Sequence, residues 1–378
     1  MVMSNVGYSF RFYPTKQQEQ QLAKNFGCAR FVYNHCLRMR NLAYQRRDEK
    51  LNSIALSRHI TRLKKTKRYI WLNAVPASIL VQSLLDLDKA FVNYFKKLAK
   101  RPKYKKKKNT QHIRFQLDQR CVVNNYMAGK KLKLTRLGEL KVIWSRIPKG
   151  TPKMVTVTKT AAHKYFVSFS CEEEIGIKAK TYKEIGIDVG IKDVIVTSEN
   201  YRSGAPKNFY KYARELKLAQ RGLSRKNKGS NRYKKQAIKV ARIHEKIANC
   251  RRDFLHKETC RLITENDVIY LEDLNVAGML QNRKLSKAVA DVGMFELKRQ
   301  LEYKAKWYGK EVVIISRWEP TTKTCSSCRA QKEMKLSDRV YSCHCGLIID
   351  RDLNAALNIK AAGRAARGAV NKLGTELG

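Results

Sequence analysis

The chain is short of acids: its 378 residues carry 32 Asp and Glu against 79 Lys and Arg, a formal net charge of +47 at pH 7. A surplus that large repels itself in an isolated globule, so the shortage implies a polyanionic partner. Long apolar runs are missing as well: nothing approaches the ~20 consecutive apolar residues of a membrane span. The start, Met1-Val2-Met3-Ser4, lacks a signal-peptide pattern, so the expectation is a cytoplasmic chain with no membrane partner. No amphipathic anchor stands out, and nucleic acid explains the charge better than a lipid surface or mere solubility. A hydrophobic content of 43% excludes wholesale disorder, and the length allows two or three domains with their own cores.

Disulfides are not expected either, although there are ten cysteines, because the chain is long and reads as cytosolic. Cys28, Cys36, Cys121, Cys171, Cys250 and Cys260 are scattered among apolar residues and read as buried thiols. The other four are clustered. Cys325 and Cys328 form a Cys-x-x-Cys pair, fourteen residues follow, and Cys343 and Cys345 form a Cys-x-Cys pair. Two thiolate pairs at this spacing suit a closed, tetrahedral structural Zn²⁺ site and resemble a zinc ribbon. His344 is crowded by its neighbours, so the four sulfurs are the expected ligands.

Basic residues are bunched. Nine of the thirteen residues from Lys96 to Lys108 are basic, ending in Lys105-Lys106-Lys107-Lys108, and residues 202–252 hold 17 Lys or Arg and two acids. Both stretches are read as backbone-phosphate contacts, with Lys105, Lys106, Lys107, Lys108, Arg225, Lys226, Lys234 and Lys235 as candidates.

Periodicity places the elements. Residues 6–12 alternate like a strand, and Thr15 and Gln18 stand in capping-box spacing before a helix carrying Leu22, Phe26, Ala29, Tyr33 and Leu37. A second helix face holds Leu80, Leu84, Leu87, Phe91, Phe95 and Leu98. Short strands at 112–115, 131–134, 140–143 and 164–169 then suit a small β-barrel or curled sheet, completed by the first strand. Farther on come two adjacent antiparallel strands (185–191 and 194–197), helices with seams at Val240-Ile243-Ile247-Cys250-Phe254 and Met294-Leu297-Leu301-Ala305-Tyr308, and strands at 268–272 and 312–315. Residues 361–378 are assigned no element.

Three acids stand out in this second half. Asp188 lies within the apolar run Ile185–Ile191, Glu272 ends the strand at 268–272, and Asp352 lies where a helix begins. An aspartate in such a strand is costly to desolvate without a cation or strong donors beside it. Hard carboxylate oxygens from separate elements suit Mg²⁺ or Mn²⁺, and two such ions about 4 Å apart activate water and stabilise a leaving 3′ oxygen. Asp273 and Asp350 compete for the second and third positions. The order of strands, helices and acids fits an RNase H-like core, chemistry that a DNA transposase also uses.

Gly186-Ile187-Asp188-Val189-Gly190, Leu271-Glu272-Asp273-Leu274-Asn275, the cysteine ribbon and Asp350-Arg351-Asp352-Leu353-Asn354-Ala355-Ala356 resemble the RuvC-type core of TnpB proteins, transposon-encoded relatives of type V CRISPR nucleases. Phe10-Arg11-Phe12-Tyr13-Pro14 and Phe26–Asn34 resemble the start of that family. The resemblance implies an α+β multidomain protein: a β-barrel wedge domain with a helical insertion, then an RNase H-like (RuvC-type) nuclease core with an inserted zinc ribbon. The expected boundaries are 1–13 and 109–181 for the barrel, 14–108 for a helical recognition domain, 182–324 and 347–378 for the core and tail, and 325–346 for the ribbon. It implies an RNA-guided DNA endonuclease, one protein per RNA, carrying a guide RNA from the transposon end and cutting double-stranded DNA beside a short flanking motif. Asp188, Glu272 and Asp352 would hold Mg²⁺. A nuclease-silent RNA-guided repressor and a transposase are the alternatives; the first is disfavoured by the presence of all three acids, the second by a ribbon lying between the second and third.

Overall fold

The computed structural model describes residues 2–116, 132–335 and 337–375. The chain divides into two compact units, Met3–Glu174 and Ile175–Gly378, the latter with Met1–Val2.

The first unit opens with β1 (Val2–Tyr13), whose Tyr8, Phe10 and Phe12 alternate into a core. At the start of α1 (Lys16–Arg47) the Thr15 hydroxyl accepts from the Gln18 N–H and the Gln18 side chain accepts from the Thr15 N–H, as the spacing predicts. Leu22, Phe26, Ala29, Tyr33 and Leu37 are all buried along this helix. Then follow α2 (Ser53–Leu63), a 3₁₀ helix (Lys67–Ala74) and α3 (Ala77–Phe95). Leu80, Leu84 and Leu87 pack against Val32, Cys36, Leu56 and Ile60. The expected apolar face stops short, however: Phe95 and Leu98 are exposed, and Leu98 lies beyond the helix, where Lys97 adopts a left-handed conformation.

Among the described residues, β1 joins β2 (Gln111–Gln116), β3 (Leu132–Leu134), β4 (Gly138–Ile143), β5 (Thr151–Lys159) and β6 (Tyr165–Ile175) in a half-barrel sheet of order β2-β5-β6-β1-β4-β3. Strand β5 has no counterpart in the sequence expectations, although Val155-Thr156-Val157-Thr158 alternates and buries both valines. Lys131, expected at the start of β3, and Cys121, expected as a buried thiol, lie outside the described residues.

The second unit is built on β7 (Glu184–Asp188), β8 (Val196–Thr197), β9 (Val268–Glu272) and β10 (Glu311–Ile315), in the order β10-β9-β7-β8. Strands β7, β9 and β10 run parallel and β8 antiparallel to β7, an RNase H-like arrangement. Between them come α4 (Asn208–Ser224), α5 (Asn231–Glu265), α6 (Val276–Met279), α7 (Ser286–Val292) and α8 (Met294–Tyr308). Leu255, Leu262 and Ile263 of α5 and Leu297 and Leu301 of α8 cover one face of the sheet through Ile185, Ile187, Ile269 and Leu271. Fully burying such a side chain contributes about 1.5–3 kcal/mol.

After β10 come the hairpin β11 (Val340–Ser342) and β12 (Ile348–Asp350), then α9 (Arg351–Thr375). Residues 361–375, assigned nothing from sequence, continue α9. Two features hold them: Gly363 sits against the Tyr270 ring, and Arg364 and Arg367 bond the Glu184 carboxylate at 2.6 and 3.0 Å. Of the thiols expected to be buried, Cys28, Cys36 and Cys171 are, whereas Cys250 is half-buried and Cys260 exposed. Cys260 is exposed on α5, although its Sγ accepts from Lys304 Nζ of α8 at 3.1 Å. No single helix among the described residues is long and apolar enough to cross a membrane.

Candidate active site

Parallel pairing brings the C-terminal ends of β7 and β9 to one edge of the sheet, and each ends in an acid, Asp188 and Glu272. Asp188 thus terminates its strand instead of sitting at its centre, which leaves the carboxylate half-buried at the rim. Helix α9 delivers Asp352 to the same place. Burial, foremost, and the nearby Asp352 and Glu272 charges push the Asp188 carboxyl up to about 7, against the opposing pull of Arg351 and the Val189 N–H. Burial also raises Glu272, with Asp273 adding to it and the Thr321 hydroxyl, 3.5 Å from Oε2, working the other way.

The competing acids have other partners. Asp273 accepts from Lys298 Nζ at 3.0 Å and from the Arg317 guanidinium, which hold it below the usual carboxylate range. Asp350 accepts from the N–H groups of Asp352 and Leu353 at 3.0 and 3.1 Å and pairs with Arg202 at 2.8 Å. Burial would raise Asp350, but those donors outweigh it and its pKa is lowered. Asp350 therefore fixes the start of α9, while Asp352 pairs with Arg351 at 3.3 Å and adds its negative charge to the surroundings of Asp188.

The four cysteine sulfurs lie within 4.8 Å of one another. Burial opposes ionisation of Cys325, yet N–H donors from Cys328 and Ser327 and the neighbouring thiols lower it, while those same thiols raise Cys343. The soft, converging donor set is consistent with a zinc ribbon. Sequence reasoning missed what fastens this ribbon to the acid-bearing helix. Asn354, fully buried, donates to Thr324 O at 2.7 Å and accepts from the Ser326 N–H at 3.0 Å. Asn358 donates to Thr321 O and Thr324 O at 2.8 and 2.6 Å and accepts from Arg329 at 3.2 Å. The signal was present in the sequence: two amides four residues apart share one helix face with the turn after Asp352.

The basic candidates are not equivalent. Lys105 lies 4.0 Å from the centre of the Tyr33 ring and 3.9 Å from Asp86, so it is engaged in packing. Lys106, Lys107 and Lys108 are exposed, as are Arg225, Lys234 and Lys235, while Lys226 is half-buried at the turn between α4 and α5.

Residues 168–283 match the OrfB family of IS605, described as "Probable transposase", and residues 295–359 match the "Cas12f1-like, TNB domain". Residues 1–49 match a "Helix-turn-helix domain" of the same OrfB group, although here they form β1 and the single helix α1. A Streptomyces pristinaespiralis protein named "Putative RNA-guided DNA endonuclease" is 39% identical over 95% of this chain and 89% of its own. Escherichia coli "Putative RNA-guided DNA endonuclease InsQ" is 30% identical over 95% of this chain and 92% of its own. Among solved structures, the protein of a "Cas12f1-sgRNA-target DNA complex" shares the fold with a TM-score of 0.57 at 14% identity, covering 95% of this chain and 99% of that one. The chain belongs to the TnpB family, the OrfB proteins of IS605-type transposons.

Proposed function

We propose that this chain is an RNA-guided DNA endonuclease whose cutting site is Asp188, Glu272 and Asp352. The observation that carries the reading is geometric: parallel pairing puts Asp188 and Glu272 at the same ends of β7 and β9, and α9 begins beside them with Asp352. A half-buried group of like charges is what a cation would relieve, and hard oxygens favour Mg²⁺ or Mn²⁺. A divalent ion bound there supplies Lewis acidity toward a phosphodiester. The chain's own residues set the geometry: Lys298 and Arg317 occupy Asp273 and leave Glu272 free, while Asp350 fixes the first turn that aims Asp352. The four cysteines are assigned a structural Zn²⁺. The surplus of +47 fits a guide RNA and its heteroduplex with DNA, where pairing reads sequence and the protein reads shape and a short flanking motif.

The test begins with purification from cells carrying the flanking transposon DNA and sequencing of the bound RNA. The complex is then incubated with Mg²⁺ and a plasmid library randomised beside the guide match. Cleavage beside one motif, leaving 5′-phosphate and 3′-hydroxyl ends, is expected. Asp188→Ala should reduce cutting to background while retaining the RNA, and an Asp188→Ala protein that cuts at the normal rate removes the site assignment. Bound RNA with motif-specific binding but no cutting in the unaltered protein replaces the nuclease with a repressor.

A further inference from the structure

Lys304 of α8 is only 4% exposed, and among the described residues no carboxylate is paired with it. Its ammonium reaches across to α5, where it donates to the Thr259 hydroxyl at 2.6 Å and to the His256 carbonyl and the Cys260 sulfur, each at 3.1 Å. The register is helical on both sides. His256 and Cys260 are one turn apart on α5, and Gln300, which accepts from the Thr259 hydroxyl at 3.0 Å, is one turn before Lys304 on α8. A buried cation is costly without a matching charge, and a carbonyl and a hydroxyl carry none. Burial accordingly lowers the Lys304 pKa, against the pull of the Cys260 sulfur and with the help of the Lys178 charge. Cys260 itself is exposed, so its sulfur has a buried nitrogen on one side and water on the other.

We propose that Cys260 and Lys304 are a peroxide-responsive pair that closes into a covalent sulfur–nitrogen bond between α5 and α8. A partly exposed thiol beside cations is the kind that reacts. In the first step the Cys260 thiolate attacks hydrogen peroxide and the O–O bond breaks. One oxygen goes to sulfur, and the other leaves as water with a proton from the Lys304 ammonium. Cys260 is then a sulfenic acid and Lys304 a neutral amine. In the second step the amine attacks sulfur, the S–O bond breaks and water leaves, the condensation that sulfenic acids undergo with a neighbouring nitrogen. Sulfur is oxidised by two electrons, the peroxide is reduced, and the protein loses two hydrogens. Because the oxidant arrives from solvent, the new S–O bond points away from the buried Nζ, in line for its displacement. Two equivalents of a thiol reverse the bond, restoring Cys260 and Lys304 and leaving the reductant as a disulfide. The bond joins residues 44 apart in sequence and ties together two helices that cover the sheet of Asp188 and Glu272.

The full-length protein, purified with Zn²⁺, is treated with near-stoichiometric hydrogen peroxide, digested and mapped by mass spectrometry. The peptides of Cys260 and Lys304 should appear joined, two hydrogens lighter than their sum, and should separate in dithiothreitol. Cys260→Ser, at an exposed position, should abolish the joined species. In Lys304→Gln the sulfenic acid has no amine to condense with, so dimedone should label Cys260 there and only weakly in the unaltered protein. Closing the bond should raise the melting temperature by about 4 °C or more, reversibly in dithiothreitol. Cys260 oxidised to the sulfinic acid with Lys304 unmodified, or labelled by dimedone to the same extent with and without Lys304, overturns the pair. The mapping needs only the unaltered protein, so it decides the matter even if Lys304→Gln does not fold.

Discussion

At the scale of single residues, what separates the acids is their partners. Asp352 pairs with the adjacent Arg351 at 3.3 Å, whereas Asp273, Asp350 and Asp267 are each held by cations from distant elements. Asp267 illustrates the second kind: burial would raise it, but the Lys310 ammonium and the Thr181 and Tyr182 N–H groups hold it to about 2. Its folded pKa lies below the ~3.9 of an unfolded aspartate. The stability it contributes is therefore present above about pH 4 and is lost as the pH falls toward 2. Asp267→Asn should lower the melting temperature at pH 6–7, with the gap to the unaltered protein closing between pH 4 and 2 in a thermal-denaturation series. A gap that stays constant with pH would assign the effect to packing instead. Charge counting along the sequence cannot separate these acids, because Arg202, Lys298 and Lys310 reach them from distant elements.

At the scale of elements, the second unit depends on how closely α9 lies on the sheet. A Cβ on Gly186 would collide with the Ala356 carbonyl and the Lys360 backbone, and one on Gly363 with the Tyr270 ring. These glycines are needed for close approach and not for turns, since neither has a positive φ. Gly186→Ala should cost about 1–3 kcal/mol from overpacking, read as a fall in melting temperature. It should also reduce cleavage, because Gly186 and Ala356 lie two and four residues from the proposed ligands Asp188 and Asp352. The alternation and the 3.6-residue spacing made α1, α8, β1 and β9 legible from sequence. The end of α9 was not, because its Ala, Gly and Arg residues have no apolar stripe of their own and acquire order from Tyr270 and Glu184.

At the scale of the whole molecule, a charge of +47 makes association strongly dependent on salt. Guide RNA affinity should fall log-linearly with salt, losing about 0.7 of slope per single-strand phosphate contact. Replacing Lys106, Lys107 and Lys108 together by Ala should reduce the slope by about 2, measured by filter binding between low and physiological salt. An unchanged slope would place the RNA elsewhere, with the basic hairpin of α4 and α5 next to be tested. Lys105→Ala should instead lower stability, because its ammonium is engaged with Tyr33 and Asp86.

The sequence by itself determined most of the elements and the four clustered cysteines, and it proposed the three acids, since each is a matter of residue type at short spacing or at the end of an apolar run. Tertiary structure alone decided which of two adjacent acids is available. Asp350 and Asp352 differ by two positions in the chain, yet Arg202 and the first N–H groups of α9 claim one, while the other pairs with Arg351 and adds its charge to the surroundings of Asp188. The same holds for Asn354 and Asn358, whose role exists only once the ribbon folds back on α9. Local pattern follows from nearest neighbours along the chain. Hydrogen bonds and ion pairs between residues far apart in sequence are made by packing, and they set the chemistry of the site.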